Sequence, residues 1–152
     1  MRYIVFTCLF LSACVFHPMY TNQVRENVCV EPIANESGYQ LYQHLQRYFP
    51  GNGECLYTLV VNTPQHTYSD QSISDKDFIT MQSINASTSY TLKDKNKKVI
   101  LKKNVRVNGS SAITSNPYSS VVGTQKTSDD LNIILADQII LHVSAFLDEA
   151  NQ

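Results

Sequence analysis

The chain has 152 residues, room for one compact domain. Its 12 basic and 13 acidic residues leave a formal net charge of −1, which excludes the basic excess of a general nucleic-acid binder. A hydrophobic share of 43% is enough for a core, and five Gly with five Pro exclude collagen-like and linker-dominated chains. Charged residues reach only 16%, while Ser, Thr, Asn and Gln number 48, a balance that leans toward an exported protein.

Residues 1–13, MRYIVFTCLFLSA, read as a signal peptide. Arg2 and the amino terminus form a short positive region, and Tyr3 to Leu11 is an apolar run of nine residues. A bilayer span needs about 20 apolar residues, so this run is too short to cross one. It ends in Leu11-Ser12-Ala13-Cys14. Small residues before a Cys are the bacterial lipoprotein signal, in which the thiol takes a lipid and cleavage falls just before it. The competing reading is an ordinary secretory signal with an incidental Cys. Val15 stands where an Asp would signal inner-membrane retention, so outer-membrane sorting is the default. The expected organisation is a cleaved signal over 1–13, a lipidated tether over 14–26, and one domain over 27–150.

Asn27 to Ile33 carries β-branched residues and predicts a first strand ending near Pro32. A helix-start signal at Asn35-Glu36-Ser37 is followed by Leu41, Tyr42, Leu45, Tyr48 and Phe49 at helical spacing, up to Pro50-Gly51. Glu54 to Asn62 is a near-continuous apolar run, predicted as a strand buried on both faces or nearly so. Residues 63–77 are polar, a loop or a strand extension. From Phe78 to Leu92 the chain alternates, with Ile84, Ala86, Thr88, Tyr90 and Leu92 on one face and Asn85, Ser87, Ser89 and Thr91 on the other. After a turn at Asp94–Lys97, Val99, Leu101, Val105 and Val107 repeat the alternation, interrupted by Lys103. These segments predict a β-hairpin.

Residues 108–124 read as a long Ser/Asn/Pro loop, and a final helix is expected from about Ser128, with Asp129 and Asp130 at its positive end. Its apolar arc holds two stripes and is wider than one sheet needs. The helix should therefore meet the sheet and a second partner, either the first helix or another protein. Leu131, Leu135 and Ile139 are the candidates to face that partner. The order is β-α-β-β-β-α, and the single helix between strands one and two allows a parallel pair.

Cys8 leaves with the signal and Cys14 takes lipid, which leaves Cys29 and Cys55 in an oxidising compartment. Either they form a disulfide across about 26 residues, or they are two buried thiols. No catalytic motif, metal-ligand spacing or nucleotide fingerprint is present, so no enzyme, metal or cofactor is expected. Lys93, Lys95, Lys97, Lys98, Lys102, Lys103 and Arg106 are seven of the eleven basic residues after position 13. They mark the hairpin either as a contact for an anionic lipid or sugar acid, or as a solvated strand pair guarded against edge pairing.

The stretch Cys14-Val15-Phe16-His17-Pro18-Met19-Tyr20 resembles the start of the mature LptE family of lipopolysaccharide (LPS) assembly lipoproteins. In the alphaproteobacterial form, a Cys-Gly-Phe-Arg-Pro-Leu-Tyr-like stretch follows the signal. Phe16, Pro18 and Tyr20 match, whereas Val15, His17 and Met19 depart. The hairpin Ser89–Asp94, the loop Pro117–Ser120 and the helix segment Leu135–Ile139 are similar too. The resemblance implies an α+β fold with two helices packed on one face of a four-stranded mixed sheet. It also implies a non-catalytic subunit of the LPS translocon. Such a subunit plugs and helps assemble an LptD-like outer-membrane β-barrel and faces the periplasm and the barrel lumen. It binds LPS through basic residues, which the hairpin matches by type. The alternative is a free-standing periplasmic lipoprotein, a lipid carrier or envelope scaffold.

Overall fold

The computed structural model describes residues 25–73 and 79–150, so Cys14, the signal and most of the tether lie outside the described residues. In chain order the elements are β1 (Val28–Val30), a 3-10 turn (Glu36–Gly38) leading into α1 (Tyr39–Tyr48), β2 (Tyr57–Val61), β3 (Gln65–Ile73), β4 (Ile79–Asp94), β5 (Val99–Ala112) and α2 (Pro117–Ala150).

The alternating segment is the centre of the sheet. β4 is 16 residues long and is paired along both edges. β5 runs antiparallel to it on one side, with Tyr90 opposite Lys103 and Ser87 opposite Arg106. On the other side β2 and β3 follow one another, with Val61 opposite Tyr90 and Gln65 opposite Ser87. Five strands therefore occupy four positions, the four-stranded mixed sheet that was expected, with the second position broken at Asn62-Thr63-Pro64. Proline has no N–H to give to the ladder, which suits it to the break. Thr88 Oγ1 donates to the Asn62 carbonyl at 2.6 Å and Asn62 Nδ2 to Ser89 Oγ at 2.6 Å, so side chains bridge the gap. The polar segment after Pro64 is thus a strand extension through Ile73. β1 pairs parallel with β2, Val28 opposite Tyr57, and α1 is the crossover.

Both helices cover one face. Ile84, Ala86, Tyr90 and Leu92 of β4, Leu59 and Val61 of β2, Val28 of β1 and Val105 of β5 meet Leu41, Leu45 and Phe49 around α1. Leu131, Leu135, Ala136, Ile139, Ile140, Val143 and Leu147 of α2 complete the core. Gly109 lets α2 lie close on β5, since a Cβ there would stand 3.2 Å from Leu131 Cδ2. A register shift sets Leu101 opposite Leu92 but Val99 opposite Lys93, so Ile100 is an inserted residue, a β-bulge.

Three expectations are corrected. The loop over 108–124 is instead the end of β5 and the start of α2, separated by residues 113–116. Asn116 caps the helix, accepting from Tyr118 N at 3.0 Å, and Pro117 takes the first helical position. Asp129 and Asp130 consequently lie inside the helix, where Lys126 pairs with Asp130 at 3.2 Å. β2 is half-buried rather than nearly enclosed, because Tyr57, Thr58 and Val60 remain partly exposed. Leu131, Leu135 and Ile139 are 2%, 0% and 0% exposed, so they pack into the core and do not face another protein. The wide apolar arc is consumed by the sheet and α1 together. α1 is fixed to α2 by His44 Nε2 and Asp137 Oδ1 at 2.8 Å and by Asn132 Nδ2 donating to the Ser37 carbonyl at 3.1 Å. The apolar residues that α2 leaves outside are Tyr118, Val121, Val122, Ile133, Ile134 and Leu141.

Candidate functional site

Strand alternation sorts the seven basic residues of the hairpin into three places. Lys93, Lys102 and Arg106 point to the face that carries no helix. Lys95, Lys97 and Lys98 form the turn. Lys103 points to the helix side, since it stands opposite the buried Tyr90.

The helix-free face is polar and almost without negative charge. β4 contributes Asn85, Ser87, Ser89, Thr91 and Lys93, and β5 contributes Lys102, Asn104, Arg106, Asn108 and Ser110. Gln65 and Thr67 continue it on β3. None of these positions is a carboxylate. Lys93 is diagonal to Lys102 at roughly 7–8 Å between backbones, and Lys102 and Arg106 are four residues, roughly 14 Å, apart. Beside Arg106 the break in the second strand position opens a hollow of about 530 Å³, lined by Asn62, Gln65, Ser87, Ser89, Asn104 and Arg106 among others. A guanidinium fork above amides and hydroxyls can bind a phosphate or carboxylate and hydrogen-bond neighbouring sugar hydroxyls. Nothing in the sequence singles out the amide and hydroxyl residues of this hollow, although the alternation along β4 places Ser87 and Ser89 on a polar face.

The turn is held by Asp94. Its Oδ1 accepts from Asn96 N at 2.8 Å and Lys98 N at 2.9 Å, and Lys97 N donates to its carbonyl at 2.9 Å. Lys97 takes a left-handed φ of 62°. Lys95, Lys97 and Lys98 stay exposed.

Lys103 belongs to a different environment. Tyr90, 1% exposed, is hydrogen-bonded through its hydroxyl to His142 Nδ1 at 3.1 Å. Burial pushes the Tyr90 hydroxyl up to about 12. Burial, and then the Lys103 ammonium, hold His142 below its ordinary value.

Cys29 and Cys55 form a disulfide, with Cα atoms 5.4 Å apart. Parallel pairing of β1 with β2 brings both to one end of the sheet. Among the described residues, no three His, Cys, Asp or Glu side chains gather where they could hold a metal ion.

A two-layer α+β domain with both helices on one face of a mixed sheet is an architecture found in solved bacterial lipoproteins. Rare lipoprotein B from Shewanella oneidensis superposes with a TM-score of 0.66 at 9% identity, over 82% of this chain and 98% of that one. A protein from Caulobacter crescentus described as a candidate lipoprotein gives 0.63 at 17% identity, over 82% and 92%. An uncharacterized lipoprotein B from Nitrosomonas europaea gives 0.61 at 11% identity, over 80% and 82%. At these identities the likeness shows the fold. No family model matches the chain, and no curated protein does.

Proposed function

We propose that the chain is an outer-membrane lipoprotein, anchored through Cys14, that acts as an LptE-like subunit of an LPS translocon. In this role it inserts into and helps assemble an LptD-like β-barrel and binds LPS. It is a binding and structural subunit, not an enzyme. The observation that carries the reading is the helix-free sheet face, a broad surface of Ser, Thr, Asn and Gln with Lys93, Lys102 and Arg106 set into it. Uncharged polar side chains suit the wet lumen of a barrel, and cations without opposing carboxylates suit phosphorylated sugars. The lipoprotein signal and the fold shared with solved lipoproteins support the same reading. A carrier of acyl chains would need an apolar hollow, whereas the hollow beside Arg106 is lined by amides, hydroxyls and a guanidinium, with Val105 its one apolar residue.

The test has two parts. Metabolic labelling with a radioactive fatty acid should mark the chain and fail to mark Cys14→Ser. Purified protein should bind LPS with an affinity that falls as salt rises. An unlabelled chain, or binding indifferent to salt, would refute the anchor or the cationic contact respectively.

A further inference from the structure

The root of the tether and the lysine turn lie at the same end of the domain. Arg25 is fastened to the end of α1, with its Nε donating to the Tyr48 carbonyl at 3.2 Å and its guanidinium 3.8 Å above the Tyr48 ring. Gly53 N then donates to the Glu26 carbonyl at 3.2 Å and Tyr57 N to the Asn27 carbonyl at 3.1 Å, which carries the chain into β1. Val28 is opposite Tyr57, and Tyr57 is opposite Asp94, the first residue of the turn. Two strand spacings, about 10 Å, therefore separate the start of β1 from the turn. Eleven residue steps run from Cys14 to Arg25, a reach of at most about 40 Å.

The turn itself is cationic. Lys95, Lys97 and Lys98 of the turn, with Lys93 at the end of β4, stand against one aspartate, Asp94, a local net charge of +3. Glu26 and Glu54 near the tether root offset part of it, and Arg25 adds to it. Among the described residues neither ion pair engages a turn lysine.

We propose that Lys95, Lys97 and Lys98 dock on the anionic headgroups of the leaflet that holds the Cys14 lipid. Anchor and turn then hold the domain at two points and fix how the sheet stands relative to the membrane. The proposal rests on the lipidation in the reading above. It assigns the turn to the membrane surface and leaves Lys93, Lys102 and Arg106 to LPS. The charge acts within about 8 Å at physiological salt, so the turn must touch the surface to be held. Each lysine near such a surface is worth about fivefold, and three together about 100-fold in the ratio of docked to undocked domain.

The test uses the lipidated chain in vesicles, with a fluorophore on Asn96→Cys at the tip of the turn and a quencher on the lipid headgroups. The native disulfide and the lipidated Cys14 leave the new thiol free to be labelled. Vesicles containing phosphatidylglycerol are compared with neutral phosphatidylcholine vesicles. The comparison variant adds Lys95→Gln, Lys97→Asn and Lys98→Gln, with Asn chosen because it tolerates the left-handed backbone. An unchanged melting temperature shows that the variant is folded. We expect quenching in the anionic vesicles that is reversed by salt, absent in neutral vesicles and lost in the variant. Equal quenching in neutral vesicles or in the variant would overturn docking, because the tether alone would explain it. Quenching that appears only when LPS is added would overturn it in favour of LPS capture by the turn. A chain that does not enter vesicles lacks the anchor, which overturns both docking and the lipoprotein reading. A chain that enters without quenching overturns docking alone.

Discussion

Lys102 and Lys103 are neighbours in sequence but stand on opposite faces of β5, and this makes a sharp prediction about LPS binding. Lys102 shares the helix-free face with Lys93 and Arg106, whereas Lys103 stands opposite Tyr90 on the side covered by α2. An exposed lysine contact is worth up to about 1 kcal/mol, so Lys102→Ala should weaken LPS binding by up to about fivefold. Arg106→Ala should cost more, about 2 kcal/mol or 30-fold, because a guanidinium beside the amide-lined hollow can hold an anion with two hydrogen bonds. Lys103→Ala should leave affinity unchanged. Affinities for purified LPS measured by titration calorimetry at low and moderate salt would check this, and the loss in Lys102→Ala should shrink as salt rises. Equal losses for Lys102→Ala and Lys103→Ala would refute the reasoning, since bulk charge and not the sheet face would then govern binding.

Further predictions concern the fold that presents this face. Removing the disulfide by Cys29→Ala with Cys55→Ala, a loop of 26 residues, should lower unfolding free energy by about 3.5 kcal/mol in denaturant titrations; a loss below about 1 kcal/mol would contradict it. Leu135→Ala should cost about 2–5 kcal/mol through a core cavity, whereas Leu141→Asp, at a position 50% exposed, should cost little. His142 has a folded-state value below its unfolded one, so the unfolded chain binds the proton first. Stability should therefore fall as pH drops below about 6.5, and His142→Gln should flatten that dependence. Tyr90, raised to about 12, acts at the other extreme: stability should fall as pH rises above about 10, and less so in Tyr90→Phe.

The parts of the fold legible in the sequence are those where one face is buried and the other wet. Ile84 to Leu92 alternate because one side meets α2 and the other meets solvent, so their inward set could be read directly. β3 was ambiguous for the opposite reason. Gln65 to Asp70 alternates without an apolar face, and the strand is paired to β4 by its backbone ladder. The first turns of α2 read as loop because Tyr118, Val121 and Val122 are exposed and carry no buried stripe. The Asn116-Pro117 cap was the available signal, masked by the surrounding serines. For the inner part of α2 the stripes were visible, but periodicity cannot say which one faces inward. Contacts decide that: Asn132 and Asp137 meet Ser37 and His44 on the α1 side, while Leu131 lies against Gly109 of β5. As for the candidate site, the cluster of cations was legible and its division was not. That division needs strand register, which shows Lys103 sharing a face with Tyr90 and sets Arg106 across β4 from the strand break, lining the same hollow.

Purification of a tagged chain from detergent-solubilised outer membranes, with the co-purifying proteins identified, tests the central claim most directly. The account predicts one large β-barrel in stoichiometric amount. A folded, lipidated chain that brings down no barrel would contradict it.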